Sequence, residues 1–335
     1  MRTVYVTEKG ATLRREGALL RLVLRGESLA EISAHDLGQM VLMGNVSLTP
    51  GALDLLLERN VDTVFLTHHG RFRARLTGGL STNVRLRLAQ YRCLVDPDLA
   101  LAAARSIVEA KIANSRTFIQ RFRRRHGERD ELVYAERALG AARLRTALCS
   151  TLDEVRGCEG SAAAAYFRAF GSLIRVPGFS FDGRNRHPPL DPVNALLSLG
   201  YTLLANNVEA AIEVVGLDPY LGSLHAPAPG RPSLACDLME EFRVPAVDAL
   251  VVAALNRGAI PPEGFEDAGP GEPVVMRKET VRAFVHMFES RMRGPAQPVC
   301  PGAAATYRGA IEAQVRRFAR YLTSEERPYQ PYRPR

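Results

Sequence analysis

The hydrophobic period of this chain changes once, near residue 80, and no other feature constrains its fold as tightly. Up to that point apolar residues recur every second position, the period of a half-buried strand. Leu20, Leu22 and Leu24 alternate with Arg21, Val23 and Arg25, and Phe72, Ala74 and Leu76 alternate with Arg71, Arg73 and Arg75. Residues 3–7, 40–43 and 64–66 are further short runs of strand length. One helix interrupts them, with Thr49 as its N-cap and Pro50 as its first residue, running through Leu57. Gly78-Gly79 closes the segment. Residues 1–80 are therefore predicted to form a small β-rich, sandwich-like domain.

From Asn83 onward the period becomes helical. Leu101, Ile107, Val108, Ile112, Phe118, Ile119 and Phe122 stripe a helix over 99–124, and 130–156 continue as helix. Residues 160–173 (SAAAAYFRAFGSLI) predict a close-packing helix with Glu159 at its start. Asn194–Val215 predicts an apolar core helix, and about Leu234–Leu255 another. Tyr307, Ile311, Val315, Phe318 and Leu322 stripe a last amphipathic helix, whose other face carries Arg308, Arg316, Arg317 and Arg320. The closing ERPYQPYRPR, rich in proline and charge, is predicted not to pack and to stay flexible. The fold class is α+β: a β-rich domain at 1–80, a larger all-α domain at 81–304, then a helix and tail at 305–335.

Charge narrows what such a chain can bind. The net charge is +8 over 335 residues. Residues 82–125 hold ten basic and three acidic side chains, whereas 126–304 hold 17 and 22. A basic strip beside an acidic region suits a polyanion held next to a cation-binding centre. Only Lys9, Lys111 and Lys278 are lysines among the 44 basic residues. That arginine bias can follow from genomic base composition, so its placement carries the argument. No run approaches the roughly 20 apolar residues of a membrane span, and MRTVYVTEKG is no signal peptide. A cytoplasmic protein without membrane attachment is expected. Cys93, Cys149, Cys158, Cys236 and Cys300 form no CxxC pair, which argues against a zinc ribbon and reads as reduced thiols.

The stretch with most chemistry runs from His225 to Arg243. Asp237 and Glu240 are three apart, so on a helix they share a face. His225 lies just before, on a loop set by proline and glycine. Two carboxylates and an imidazole suit Mg²⁺ or Mn²⁺; the carboxylates equally suit a first helical turn as macrodipole partners. Glu159 reads either as a capping carboxylate or, buried among alanines, as a group needing a partner such as a metal. His68 and His69, adjacent at a hairpin, point apart. Arg121, Arg123, Arg124, Arg125 and His126 read as a solvated helix end or as phosphate contacts, which the guanidinium fork fits. Arg184, Asn185 and Arg186 repeat that pattern more weakly.

Taken together, the residues resemble the CRISPR-associated endonuclease family that serves as integrase in spacer acquisition. The resemblance runs through Gly44–Pro50, the Phe65-Leu66…Gly70-Arg71-Phe72 turn, Gln90-Tyr91-Arg92 and Ala110-Lys111-Ile112-Ala113-Asn114. It continues through Glu159–Ala163 with Tyr166-Phe167, Pro189…Asp191–Ser198, Gly200-Tyr201, Gly222–His225 and Arg231–Arg243. It implies an N-terminal β domain for dimerisation and a helical catalytic domain. It also implies a site binding Mn²⁺ or Mg²⁺ through Glu159, His225 and Glu240, with Asp237 orienting a ligand or handling protons. Two homodimers flanking a small ferredoxin-like CRISPR-associated partner, double-stranded DNA as prespacer and leader-repeat target, and a prespacer-trimming exonuclease complete the implied assembly. Arg85, Arg92, Arg116, Arg121, Arg123, Arg124, Arg184 and Arg186 are candidate contacts to the DNA backbone. The implied chemistry is transesterification, a 3′-hydroxyl attacking a phosphodiester, with hydrolysis when water replaces it. A branch-specific repair nuclease with the same site, or a non-catalytic nucleic-acid-binding scaffold, are the competing readings.

Overall fold

The computed structural model describes residues 2–68, 70, 72–76, 83–185, 188–266, 269, 271–300 and 305–334. It divides into two compact units, Met1–Leu80 and Ser81–Arg335.

The first unit holds β1 (Arg2–Val6), β2 (Thr12–Glu16), β3 (Leu19–Leu24), β4 (Glu27–Ser33), β5 (Leu37–Met43), β6 (Ser47–Leu48), α1 (Pro50–Glu58), β7 (Asp62–Leu66) and β8 (Phe72–Leu76). Two four-stranded sheets result, in the orders β1-β5-β7-β8 and β4-β3-β2-β6. β5 lies between β1 and β7, parallel to both. A strand so placed is covered on both faces, which is why Met40, Val41, Leu42 and Met43 are all buried instead of alternating. Thr49 caps α1 by accepting from the Ala52 amide at 3.4 Å, with Pro50 at its first turn. The alternation expected for β8 is lost: Phe72, Arg73 and Ala74 are all exposed, and Arg75 and Leu76 are both half-buried. Phe72 is 51% exposed, whereas the Arg75 side chain is 6% exposed and paired with Asp62 at 2.7 Å. The β7–β8 ladder shifts between Phe65 and Leu66, and such an irregularity interrupts the regular alternation of a strand. Arg71 and His69 lie outside the described residues.

The second unit is helical: α2 (Val84–Val95), α3 (Pro97–His126), α4 (Asp130–Leu148), α5 (Leu152–Phe170), α6 (Pro192–Val215), α7 (Ser233–Met239), α8 (Ala249–Asn256), a β9 (Phe265–Glu266) and β10 (Val275–Met276) hairpin, α9 (Lys278–Arg293) and α10 (Tyr307–Leu322). α3, α4 and α5 pack in succession, and α6 is packed by α7 and α10. Among the described residues no helix is long and apolar enough to cross a membrane.

Three sequence expectations change. The break between the helices flanking Cys149 comes at 149–151, where Thr151 and Glu154 form a capping box. Glu159 therefore sits within α5 and caps nothing. The helix expected over Leu234–Leu255 is broken: α7 ends at Met239, and a π-helical turn over Arg243–Asp248 precedes α8. The tail packs, with Tyr329 and Tyr332 3% and 4% exposed.

Candidate active site

Asp237 on α7 is fully buried and organises the loop that carries His225. It accepts from the amides of Ser223 (2.5 Å), Leu224 (2.9 Å) and His225 (3.0 Å), and from Ser223 Oγ (3.2 Å). Its fifth partner is His225 Nδ1 at 2.7 Å. Gly222 lets the backbone come this close, since a Cβ there would lie 2.5 Å from Asp237 Oδ2. Gln90 on α2 holds the start of the loop, donating to the carbonyls of Asp218 (2.8 Å) and Leu221 (2.9 Å) and accepting from the Asp218 amide (2.8 Å). Arg156 on α5 holds the other end through the Leu224 carbonyl at 2.9 Å. Asp237 accepts at this contact, so Nδ1 of His225 carries a proton toward it, which leaves Nε2 as the acceptor nitrogen of the neutral ring. The ring is one-third exposed.

Glu240 stands where the helix breaks. Pro245 lies within the π-helical turn; proline has no amide to donate and crowds the preceding turn, which a wider turn accommodates. Glu240 is thereby placed at the end of α7, 4% exposed, between Lys111 Nζ at 2.7 Å and Arg243 Nη1 at 2.8 Å. Burial pushes its carboxyl up, but Arg243 and Lys111, with a contribution from His225, hold it down at about 2. The Lys111 ammonium also bonds Glu159 Oε1. Behind Glu240, Arg243 lies 4.2 Å from the centre of the Tyr201 ring. Tyr201 and Tyr166 donate to Asp248 at 2.6 and 2.9 Å, and burial lifts Asp248 to about 6 against those two bonds. Lys111, Glu159, Tyr166, Tyr201, Arg243 and Asp248 border a cavity of about 20 Å³, room for one water.

The structure thus joins Glu159 to Glu240 through one ammonium and ties His225 to Asp237. Among the described residues it does not gather three His, Cys, Asp or Glu side chains as a ready ligand cluster. The two glutamates are held apart by the width of the ammonium, and the imidazole is turned onto Asp237. Sequence reasoning missed Lys111 as a site residue. The signal was present: a lone lysine on α3, in a chain that uses arginine almost everywhere else.

The candidate DNA contacts separate into two groups. Arg85, Arg92, Arg121 and Arg124 are exposed. Arg123 is engaged by Glu128 and Glu136, and Arg116 meets Glu136 at 3.4 Å. Arg184 turns inward, donating to Asn194 Oδ1 (2.7 Å) and Ser198 Oγ (3.0 Å). Arg123 and Arg184 are half-buried, with partners in the fold: Glu136 on α4 for Arg123 and Asn194 in the first turn of α6 for Arg184. Arg186 lies outside the described residues.

Known proteins match this chain along its whole length. The family described as CRISPR associated protein Cas1 matches residues 4–290. A CRISPR-associated endonuclease Cas1 of Thermus thermophilus is 38% identical over 333 residues, covering 98% of this chain and 96% of that protein. A Chlorobaculum tepidum protein of the same description is 35% identical, covering 99% and 98%. A Rhodospirillum rubrum fusion named exonuclease Cas4/endonuclease Cas1 is 34% identical, with 99% of this chain matching 57% of the fusion. Among solved structures, a casposase bound to its integration product superposes with a TM-score of 0.85 at 25% identity, covering 98% of this chain and 92% of that one. A chain of a Cas6-RT-Cas1–Cas2 complex has the same fold, with a TM-score of 0.85 at 22% identity over 99% of this chain and 36% of that one.

Proposed function

Because the chain belongs to the Cas1 family of CRISPR-associated proteins, we propose that it is the metal-dependent DNA integrase of spacer acquisition, joining a 3′-hydroxyl of incoming duplex to a phosphodiester of the CRISPR repeat. It is an enzyme of the endonuclease and integrase class. The observation that carries the finer reading is the cation shared by Glu159 and Glu240. Two carboxylates that already converge on one ammonium, one of them three residues from the Asp237 that holds His225, are hard oxygen donors of the kind Mn²⁺ or Mg²⁺ takes. Glu159, Glu240 and Nε2 of His225 would hold the ion. When bound, it supplies charge neutralisation at a phosphate oxygen and help in activating the attacking or leaving oxygen.

The chain's own residues do the rest. Asp237 fixes the tautomer and orientation of His225, the role a carboxylate plays behind a ligating imidazole. Arg243 keeps Glu240 ionised throughout the physiological range. The exposed Arg85, Arg92, Arg121 and Arg124 suit backbone contacts, which set register without reading sequence.

Family relatives occur fused to an exonuclease and in a complex with another CRISPR protein, which supports partnering with CRISPR proteins. The assembly proposed for this chain is two homodimers flanking a small ferredoxin-like partner on double-stranded DNA, with a trimming exonuclease supplying prespacers. The decisive experiment compares integration into a repeat-bearing plasmid with cleavage of a Holliday-type junction, with and without the small partner and a chelator. Integration that needs both partner and divalent ion is expected; junction cleavage with no integration would instead establish the repair-nuclease reading.

Lys111 gives a second expectation. Its ammonium occupies the same carboxylate oxygens that a divalent ion requires. Lys111→Met, neutral and of similar length, is expected to tighten Mn²⁺ binding roughly tenfold, about 1.4 kcal/mol. Electron spin resonance of free Mn²⁺ reads this directly. Unchanged or weaker binding would remove Lys111 from the role of competing cation.

A further inference from the structure

The segment that the sequence leaves unpacked is fastened to the residues immediately after Glu240. Glu241 is fully buried, and its carboxylate accepts from Tyr329 Oη at 2.6 Å and from the Tyr332 amide at 2.5 Å. The next side chain, Phe242, stacks on Tyr332 with ring centres 4.6 Å apart and planes 14° from parallel. Asn114 on α3, one helical turn beyond Lys111, donates to the carbonyls of both Glu241 (2.8 Å) and Tyr332 (3.1 Å). Gln314 on α10 completes the grip, donating to Tyr329 Oη and to the Gln330 carbonyl, each at 2.8 Å.

We propose that residues 329–332 are a positioning element of the active site, with Tyr329 acting through Glu241 to fix the carboxylate of Glu240. The proposal rests on the reading of Glu240 as a metal ligand. A residue inside a continuous helix has its place set by the hydrogen-bond ladder on either side. Glu240 has that support on one side only, because α7 ends at Met239. On the other side the Phe242 amide bonds the Met239 carbonyl at 2.9 Å, and the side chains of Glu241 and Phe242 are held by the hydrogen bonds and ring stack that residues 329–332 supply. Asn114 ties the same turn to the helix that bears Lys111, so the tail, Glu240 and Lys111 share one frame. Tyr329 and Tyr332 touch no reacting group; their part is to hold the groups that do.

The test uses full-length Tyr329→Phe, Glu241→Gln and the double variant, each with its melting temperature. Tyr329→Phe removes one hydroxyl and keeps the packed ring. It is expected to raise the Mn²⁺ half-saturation, read by spin resonance, roughly tenfold and to lower kcat by a similar factor. KM for the duplex is expected to stay within about twofold, because the arginines proposed to contact DNA are not among the partners of this segment. The double variant is expected to lose no more than the worse single one, since both act through one bond. Variants that melt lower yet keep Mn²⁺ binding and kcat would make the segment a brace and overturn the proposal. Variants that lose only binding of the small partner would make it a docking arm and overturn it equally. If Glu240→Ala leaves Mn²⁺ binding unchanged in the parent, the metal reading itself fails, and the proposal with it; the tyrosine variants do not enter that outcome.

Discussion

Glu240→Ala is expected to lower metal-dependent strand transfer about a thousandfold, roughly 4 kcal/mol of transition-state stabilisation, while duplex binding stays within about threefold of the parent. The two effects separate because Glu240 is 4% exposed. Its removal takes away a proposed metal ligand without changing the exposed surface proposed to meet DNA. Arg243 and Lys111 both lose a partner, so Glu240→Gln, which preserves shape and a hydrogen bond to Arg243, is the companion that guards against misfolding. Filter binding or anisotropy reports the duplex, and plasmid integration reports the chemistry. Unchanged strand transfer sinks the assignment of Glu240. Loss of duplex binding in both variants at an unaltered melting temperature would favour a scaffold that merely holds DNA.

The largest effect on stability is expected from Asp237→Ala, at about 3–5 kcal/mol. The substitution leaves three backbone amides, the Ser223 hydroxyl and the His225 ring without their common acceptor. The fall in melting temperature expected from such a loss is about 10 °C, followed by calorimetry. Asp237→Asn tests the physical cause: its amide nitrogen would face donors, so it is expected to recover less than half of the loss despite matching size. A melting temperature within about 2 °C of the parent for Asp237→Ala would show that the loop 222–225 is held by Gln90 and Arg156 alone.

Much of this arrangement was legible in the residue order. The change of period near residue 80 separated a β unit from a helical one because strand and helix periods leave different marks on sequence. The three-residue spacing of Asp237 and Glu240 placed both acids on one short stretch of helix. It did not show that one would face the His225 loop and the other α3. That division depends on the break at Pro245, which an otherwise continuous apolar pattern from Leu234 to Leu255 conceals. Lys111 was visible as an exception to arginine usage, but its role follows only from the approach of α3 to α5 and α7, a tertiary fact.

The tail was misjudged on composition. Pro328, Pro331 and Pro334 recur every third residue, as do Tyr329 and Tyr332. Three residues per turn is the period of a polyproline helix, so the two aromatic rings were candidates for one face all along. Frequent proline also reduces the entropy lost when such a segment is ordered, which lets a short, polar stretch pack. Arg123 and Arg184 carry partners that residue type alone did not announce, a carboxylate on α4 and an amide in the first turn of α6.

The tie between Glu241 and Tyr332 spans 91 residues of chain, and that between Asn114 and Tyr332 spans 218. A ribosome delivers residues in order, so the acids and the arginine-bearing helix exist well before the segment that steadies them. At roughly 5–20 residues per second, the interval after Glu241 emerges amounts to about 5–20 seconds. During it a nascent chain can fold its β unit and expose its basic strip without owning a finished centre. A product terminated before Tyr329 remains in that condition permanently. For a protein whose reaction opens phosphodiester bonds, building the centre partly from residues made some 91 positions after Glu241 delays its competence until those residues have been made.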